Sequence, residues 1–415
     1  MRTVSSWNAG LAAALLFISA QARAQTNPAG GVWVDSSGML RSRQLDAADE
    51  LAQMRRRAAG AAEASKDGKV AFVSLSKSLA DLRAAQEFDQ AMPQTARYLG
   101  GMTQLRYVLV YPDRKDIVLA GPCEPVDATQ SPAVGRRTGR PVLHIDDLIV
   151  ALRTGQSPTR GAFGCSIDLP NDAMRKFGQV LQNSATTPRA QLVEQAKRAI
   201  GPQAVRFFGA SPDTRLALAC VSADLKLKRM FMGMDRCPLA DVGHAIEHNP
   251  LGSNRFWFET LYDPMLVSRD SLAYEFRGQR LAVKAGKQDF DPRDATPTAQ
   301  AFAKRFNQNL PTLATAIPAF ADLQNVADLS LLAALIRQDR LDRKAGLDLS
   351  WALSESACRV AKVPVARTVD TLVCVTGPSL VAGGVTISAS QWVSPSARQI
   401  DEKGVLTAVR EQGER

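Results

Sequence analysis

Histidine is scarce in this chain: three residues among 415, at His144, His244 and His248. Any Ser-His-Asp arrangement must draw on that small set, and no G-x-S-x-G elbow is present to support one. The phosphate-cradling G-x-x-x-x-G-K-[ST] pattern and a strand-linked G-x-G-x-x-G are missing too, so neither nucleotide binding nor any specific nucleic-acid signal is indicated. No two cysteines are spaced C-x-x-C, which removes a thioredoxin-like site and a zinc knuckle. Long apolar runs are equally rare. After the N-terminus the most apolar stretch is Leu329 to Ile336, closed by Arg337. At about eight residues it reads as a buried core helix rather than a membrane span.

The N-terminus carries Arg2, then the uncharged apolar run Leu11 to Ala20, then small residues at Ala22 and Ala24 flanking Arg23. That is the layout of a cleaved secretory signal over residues 1–24, with processing near Ala24. The expected destination is the periplasm or the exterior. The net charge is +10, and +8 without residues 1–24, because Arg2 and Arg23 leave and no acid does. A positive balance of this size favours anionic surroundings such as envelope polymers, lipid headgroups or released nucleic acid, or serves ordinary solubility; the partners expected are an anionic envelope polymer or another exported protein. Cys123, Cys165, Cys220, Cys237, Cys358 and Cys374 all follow the leader. An even count in an exported chain makes all six disulfide candidates, with fifteen pairings open. Closeness along the chain points to Cys358–Cys374 and Cys220–Cys237. Cys165 and Cys220 also suit the alternative of free thiols buried as small hydrophobes.

Charged residues at 22% and hydrophobic ones at 45% suit a globular chain of about two domains. Residues 25–69 read as a loose arm and a basic helix around Arg55, Arg56 and Arg57. Residues 70–250 form one α+β part, residues 251–394 a second with a helical pair and C-terminal strands, and residues 395–415 a polar tail. Leu105–Tyr111 and Ile117–Ala120 around Pro112-Asp113 spell a hairpin. Ala204–Phe208 and Leu216–Val221 around Pro212-Asp213 spell a second, similar one. The expected class is α+β, mixing β-hairpins and helices, with an internal repeat of a hairpin-helix unit.

Several phrases carry a resemblance. They include Leu105-Arg106-Tyr107-Val108, the run Thr138-Gly139-Arg140-Pro141-Val142-Leu143-His144-Ile145-Asp146-Asp147-Leu148, and Gly164-Cys165-Ser166-Ile167-Asp168. Further on come Pro212-Asp213-Thr214-Arg215, Arg255-Phe256-Trp257-Phe258 and Pro318-Ala319-Phe320-Ala321-Asp322-Leu323-Gln324-Asn325. Together, from about residue 70 to 390, the chain resembles a bacterial family known only as a domain of unknown function and abundant among secreted planctomycete proteins. The resemblance implies export and brings no catalytic residues with it. The family pattern sets Pro directly after Ser-Ile-Asp, whereas here Leu169 intervenes before Pro170.

Two functional readings stand side by side. Arg136, Arg137 and Arg140 around Gly139 can converge on phosphate or carboxylate, which suits a non-catalytic envelope module binding an anionic polymer or protein. The alternative is a zinc-dependent hydrolase. His244-Ala245-Ile246-Glu247-His248 fits H-x-x-E-H, which puts His244 and His248 on one helix face as zinc ligands with Glu247 as general base. Pro238 upstream and Pro250 downstream leave that helix short. Lys226, Lys228 and Arg229 form a second basic cluster that reads as a solvated face or an anion site. Asp146-Asp147 reads as a helix N-terminal cap, and His144 as a core or edge strand histidine. Asp289, Asp291 and Asp294 only faintly suggest calcium. Trp257 between two phenylalanines reads as core or as a sugar platform.

Overall fold

A computed structural model describes residues 27–28, 32–34, 39–42, 52, 54, 69–156, 162–168, 170, 172–182, 187–239, 242, 255–261, 265–286, 291–372, 382–388 and 398–414. The fold is α+β, built on two large sheets.

Along the chain, β1 (Val32–Val34) and β2 (Met39–Ser42) precede β3 (Val70–Ser74) and helix α1 (Leu75–Glu87). Ser74 caps α1 by accepting from Lys77 N. Strands β4 (Tyr107–Tyr111) and β5 (Asp116–Pro122) make the expected first hairpin, with Tyr107 opposite Ala120 and Tyr111 opposite Asp116. Lys115 takes the left-handed conformation that closes its turn. Helix α2 (Ile145–Gln156) and strand β6 (Ala162–Asp168) follow. Next come helices α3 (Ala173–Gln182) and α4 (Arg189–Ile200), strand β7 (Gln203–Phe208) and helix α5 (Arg215–Phe231). Strands β8 (Arg255–Thr260), β9 (Leu266–Val267), β10 (Ala273–Glu275) and β11 (Leu281–Gly286) lead into α6 (Pro297–Ala316) and α7 (Pro318–Asp339). Strands β12 (Thr368–Val369), β13 (Ala382–Ser388) and β14 (Gln399–Ile400) and helix α8 (Val405–Glu414) end the chain.

One sheet runs β14-β9-β10-β4-β5-β3. Successive strand residues point to opposite faces. Val108, Val110, Ile117 and Leu119 therefore enter one core with α1 and α2, while Tyr107, Leu109, Tyr111, Val118 and Ala120 face α8 through Leu406. Every residue of β4 is buried because both faces are covered. The second sheet runs β11-β8-β13-β6-β7-β12-β2-β1 and carries the other core under α5 and α6.

Helix α7 joins the two cores. Its residues up to Ala327 pack in the core of the second sheet, and those from Leu329 to Ile336 in the core of the first. It is long and apolar enough to cross a membrane, with a mean hydropathy of 1.4 over its best window, but 94% of that window is buried inside the protein. An all-round apolar helix is what a position between two cores demands.

Three expectations fail here, and the polar tail turns out to hold a helix. The second hairpin does not form: Leu216 to Val221 is the first part of α5, begun by Thr214 Oγ1 accepting from Ala217 N at 3.2 Å. Leu216, Ala217, Ala219, Cys220 and Val221 are all buried, so helical packing on β6 overrides their strand-like composition, and the hairpin repeat is lost with it. His144 lies outside any strand, just before α2. The N-terminal arm is not loose where it is described, because β1 pairs with β2 and β2 pairs with β12. The polar tail contains a docked helix, held by Tyr111 Oη donating to Arg410 O at 2.6 Å and by the Arg410–Asp270 ion pair at 2.7 Å. Residues 1–24 and Arg55 to Arg57 lie outside the described residues.

Candidate functional site

The separated phrases of the sequence meet at the seam between the two cores. On α7, Asp322, Asn325 and Asp328 recur at every third residue, which sets them on one helix face. Asp322 accepts from Arg215 Nη1 at 2.8 and 3.0 Å, and Arg215 Nη2 also pairs with Asp147 of α2. Asn325 donates to Pro141 O at 2.9 Å. Asp328 lies 2.9 Å from Arg280 Nε and accepts from Leu105 N at 3.3 Å. That Arg280 contact is close but poorly aligned, so it counts as an ion pair rather than a hydrogen bond. These groups tie α2, α5, α7 and the approach to β4 together.

The electrostatics follow from the count of charges. One guanidinium serves two buried carboxylates, so the set carries a net negative charge. Burial pushes Asp147 up to about 6 against the pull of Arg215, with Asp322 and Asp146 adding to the rise. Asp328 is likewise pushed up to about 6 by burial, against Arg280 and Arg140. Burial alone would lower Arg215, but Asp147 and Asp322 outweigh it and hold the guanidinium charged. His144 is pushed well below its usual value by burial and then by Arg215 and Arg97, so its imidazole is neutral. Its ring stands edge-on to Tyr98 at 5.0 Å. His144 Nε2, Asp147 Oδ1 and Arg215 Nε have no hydrogen-bond partner among the described residues. Asp146 and Asp147 are the second and third residues of α2, so they sit as partners of its dipole inside the first turn rather than as its N-cap, and Asp147 is spent on Arg215.

The turn over 135–140 is of a different kind, built at the surface around a buried carboxylate. Glu124 accepts from Arg137 N at 2.9 Å, Thr138 N at 3.0 Å and Thr138 Oγ1 at 2.6 Å. A Cβ on Gly135 would lie 2.6 Å from Glu124 Oε2, and Gly139 has φ 68°, so both glycines are required. The protein's own carboxylate thus fills the backbone donors an external anion would use. Arg136 and Arg137 remain exposed, and among the described residues neither forms an ion pair. Arg136 Nε donates to Val126 O at 3.2 Å. Arg140 turns inward to Thr315 Oγ1 at 3.5 Å. The three arginines therefore do not converge; two face solvent and one faces α6.

Lys226, Lys228 and Arg229 are neither a solvated face nor an anion site. All three are buried: Lys226 and Arg229 pair with Asp235 at 2.8 Å, and Lys228 pairs with Asp224 at 2.9 Å. Trp257 is 3% exposed, which settles it as interior. Asp291 caps a short turn and bonds Arg293; Asp289 lies outside the described residues. The Cys220–Cys237 pairing does not form. Cys123, Cys220, Cys237 and Cys358 are free thiols, and no disulfide joins any two of the described cysteines. Cys220 is fully buried on α5, where its side chain serves as core. Cys165 is buried in β6, and Cys374 lies outside the described residues, as do His244, Glu247 and His248. Among the described residues no three His, Cys, Asp or Glu side chains form a metal-holding group.

The Asp147–Arg215–Asp322 set was not singled out from the sequence. Its members stand in three quoted phrases, and the available signal was a charged residue within an apolar helix, such as Asp322 and Asp328 in α7.

A family model described as "Protein of unknown function (DUF1598)" matches residues 165–243, from β6 to just beyond α5. No curated protein and no solved structure matches the chain.

Proposed function

We propose that this is an exported, non-catalytic module that binds an anionic envelope polymer or an acidic protein partner through the basic turn at Arg136 and Arg137. The observation that carries this reading is the Glu124 clamp. It fixes the turn internally and leaves two guanidinium groups exposed, neither in an ion pair among the described residues. At the core seam Arg215 is engaged with Asp147 and Asp322, joining α2, α5 and α7. The leader-like residues 1–24 and the resemblance to secreted planctomycete proteins support placement in the periplasm or outside the cell.

The test uses long-chain polyphosphate as probe with the mature chain. Binding weakens as salt rises from 50 to 200 mM, and weakens further in Arg136→Ala/Arg137→Ala. Affinity that ignores salt, or a double variant that binds like the parent, overturns the reading. Fractionation of native cells checks placement: the mature N-terminus follows Ala24, and full-length chain in the cytosol refutes export.

A further inference from the structure

At one corner of the first sheet two exposed arginines share a single buried carboxylate. Strand β10 pairs with β4 so that Glu275 stands directly across from Tyr107, and Phe276 N donates to Arg106 O at 2.8 Å. This register brings Arg106, one residue before β4, beside Arg277, two residues past β10. Arg106 donates to Glu275 Oε1 from Nε at 3.1 Å and from Nη2 at 3.0 Å. Arg277 Nε donates to Glu275 Oε2 at 2.7 Å. The Glu275 side chain is 7% exposed, whereas those of Arg106 and Arg277 are 56% and 46% exposed.

Positive charge is in excess at this corner. Two guanidiniums face one acid, and among the described residues neither makes a second ion pair. Burial pushes the Tyr107 hydroxyl up, and the charged groups acting on it are Arg106, Glu275 and Arg277. A guanidinium offers donors at Nε, Nη1 and Nη2. Arg106 commits Nε and Nη2 to Glu275, and Arg277 commits Nε alone. Nη1 of Arg106 and both Nη groups of Arg277 are left to meet a ligand.

The two forks are also held in place. The Arg106 guanidinium lies over the Tyr107 ring, 5.1 Å from its centre, and Tyr107 is buried. Stacking and a common brace fix the side chains beforehand, so binding costs little of their rotamer freedom. Because the arginines bond different oxygens of one carboxylate, their bonding nitrogens are at most about 8 Å apart, a gap that one anionic group spans with two charge-assisted bonds of about 2.8 Å. A carboxylate presents two oxygens in one plane, which a single fork saturates. A terminal phosphate presents three acceptor oxygens, enough to serve both forks.

We propose that Arg106 and Arg277, braced by Glu275 and Tyr107, bind a terminal phosphate group, carried by a small molecule or by the end of an anionic polymer. This site is separate from the basic turn, so it is tested in the Arg136→Ala/Arg137→Ala background. Isothermal titration with pyrophosphate finds one site per chain there; absent binding in that background overturns the proposal and leaves the reading of the turn intact. Adding Arg106→Lys/Arg277→Lys keeps both charges beside Glu275 but removes the forks. Affinity then falls by about tenfold, because an ammonium is a point charge that cannot grip two oxygens side by side. Arg277→Gln, at an exposed position, leaves the Arg106–Glu275 pair whole and also weakens binding by about tenfold. A lysine variant that binds like the parent reduces the site to undirected charge, and an unaffected Arg277→Gln removes that residue from it; either result overturns the proposal. So does acetate displacing pyrophosphate as readily as phosphate does, which would make this a carboxylate site. Long-chain polyphosphate that competes at an equal concentration of chain ends assigns the group to a polymer, and failure to compete assigns it to a small ligand; both support a phosphate site.

Discussion

Replacing Arg215 by methionine isolates the energetics of the seam. The guanidinium bonds Asp322 at 2.8 Å and pairs with Asp147, and the three side chains are 11%, 7% and 1% exposed. Removing it leaves two buried carboxylates without a counter-charge. Breaking one buried pair costs about 3–5 kcal/mol. With two acids stranded, the upper part of that range, about 4–5 kcal/mol at pH 7.5, is expected. At a urea slope of about 2–3 kcal/mol/M this lowers the unfolding midpoint by about 1.5–2.5 M. The deficit has a pH signature. Loss of Arg215 raises Asp147 further, so acidification to pH 5 protonates it and shrinks the penalty. It also has a rescue: Asp147→Asn/Asp322→Asn in the Arg215→Met background removes the stranded charges and recovers most of the stability. Urea melts followed by circular dichroism at pH 5 and 7.5 on all three proteins decide the matter. A single variant that loses less than about 1 kcal/mol, or a triple variant no better than the single, refutes the argument that this guanidinium neutralises buried acids.

Asp147 and Asp328, held near 6 against an unperturbed 3.8, bind protons in the native state that the unfolded chain has released. Their contribution is complete below about pH 4 and lost as pH rises through 6, about 3 kcal/mol for each carboxyl; His144, held low, opposes this below its ordinary value of 6.5. Asp328→Asn should flatten the fall in urea midpoint between pH 5 and 7.5, and an unchanged slope contradicts the assignment. Leu406 is the buried residue of α8, so Leu406→Ala should weaken its docking by about 2–5 kcal/mol. Faster trypsin cleavage at Arg410 reads this, and an unchanged rate argues against it. Cys123 is half-buried whereas Cys220 is fully buried with its thiol pushed up by burial. Iodoacetamide labelling of native protein should modify Cys123 well before Cys220, and the reverse order refutes the placement.

Much of the local structure was legible because it follows from short-range chemistry. The first hairpin is written by Pro112-Asp113 between two β-rich runs, and the split between α6 and α7 by Pro318 after Ile317. Leu329 to Ile336 read as a buried helix and is one. The reading failed where the partner decides. Leu216 to Val221 has strand composition, yet a Thr214 cap and burial on all sides make it helix. Lys226, Lys228 and Arg229 look like a basic face; their counter-charges Asp224 and Asp235 stand close by in sequence, and only the fold shows that all five are buried.

Periodicity, turn residues and caps act over a few residues, so the sequence by itself determined the α+β class, most helices and the central hairpin. The meeting of Asp147, Arg215 and Asp322 spans 175 positions of chain, and no local propensity encodes a contact at that separation. Which charges are buried and which arginines of the 135–140 turn reach water were decided by tertiary packing. Burial, which sets the worth of a charge, is a property of the neighbours that folding brings.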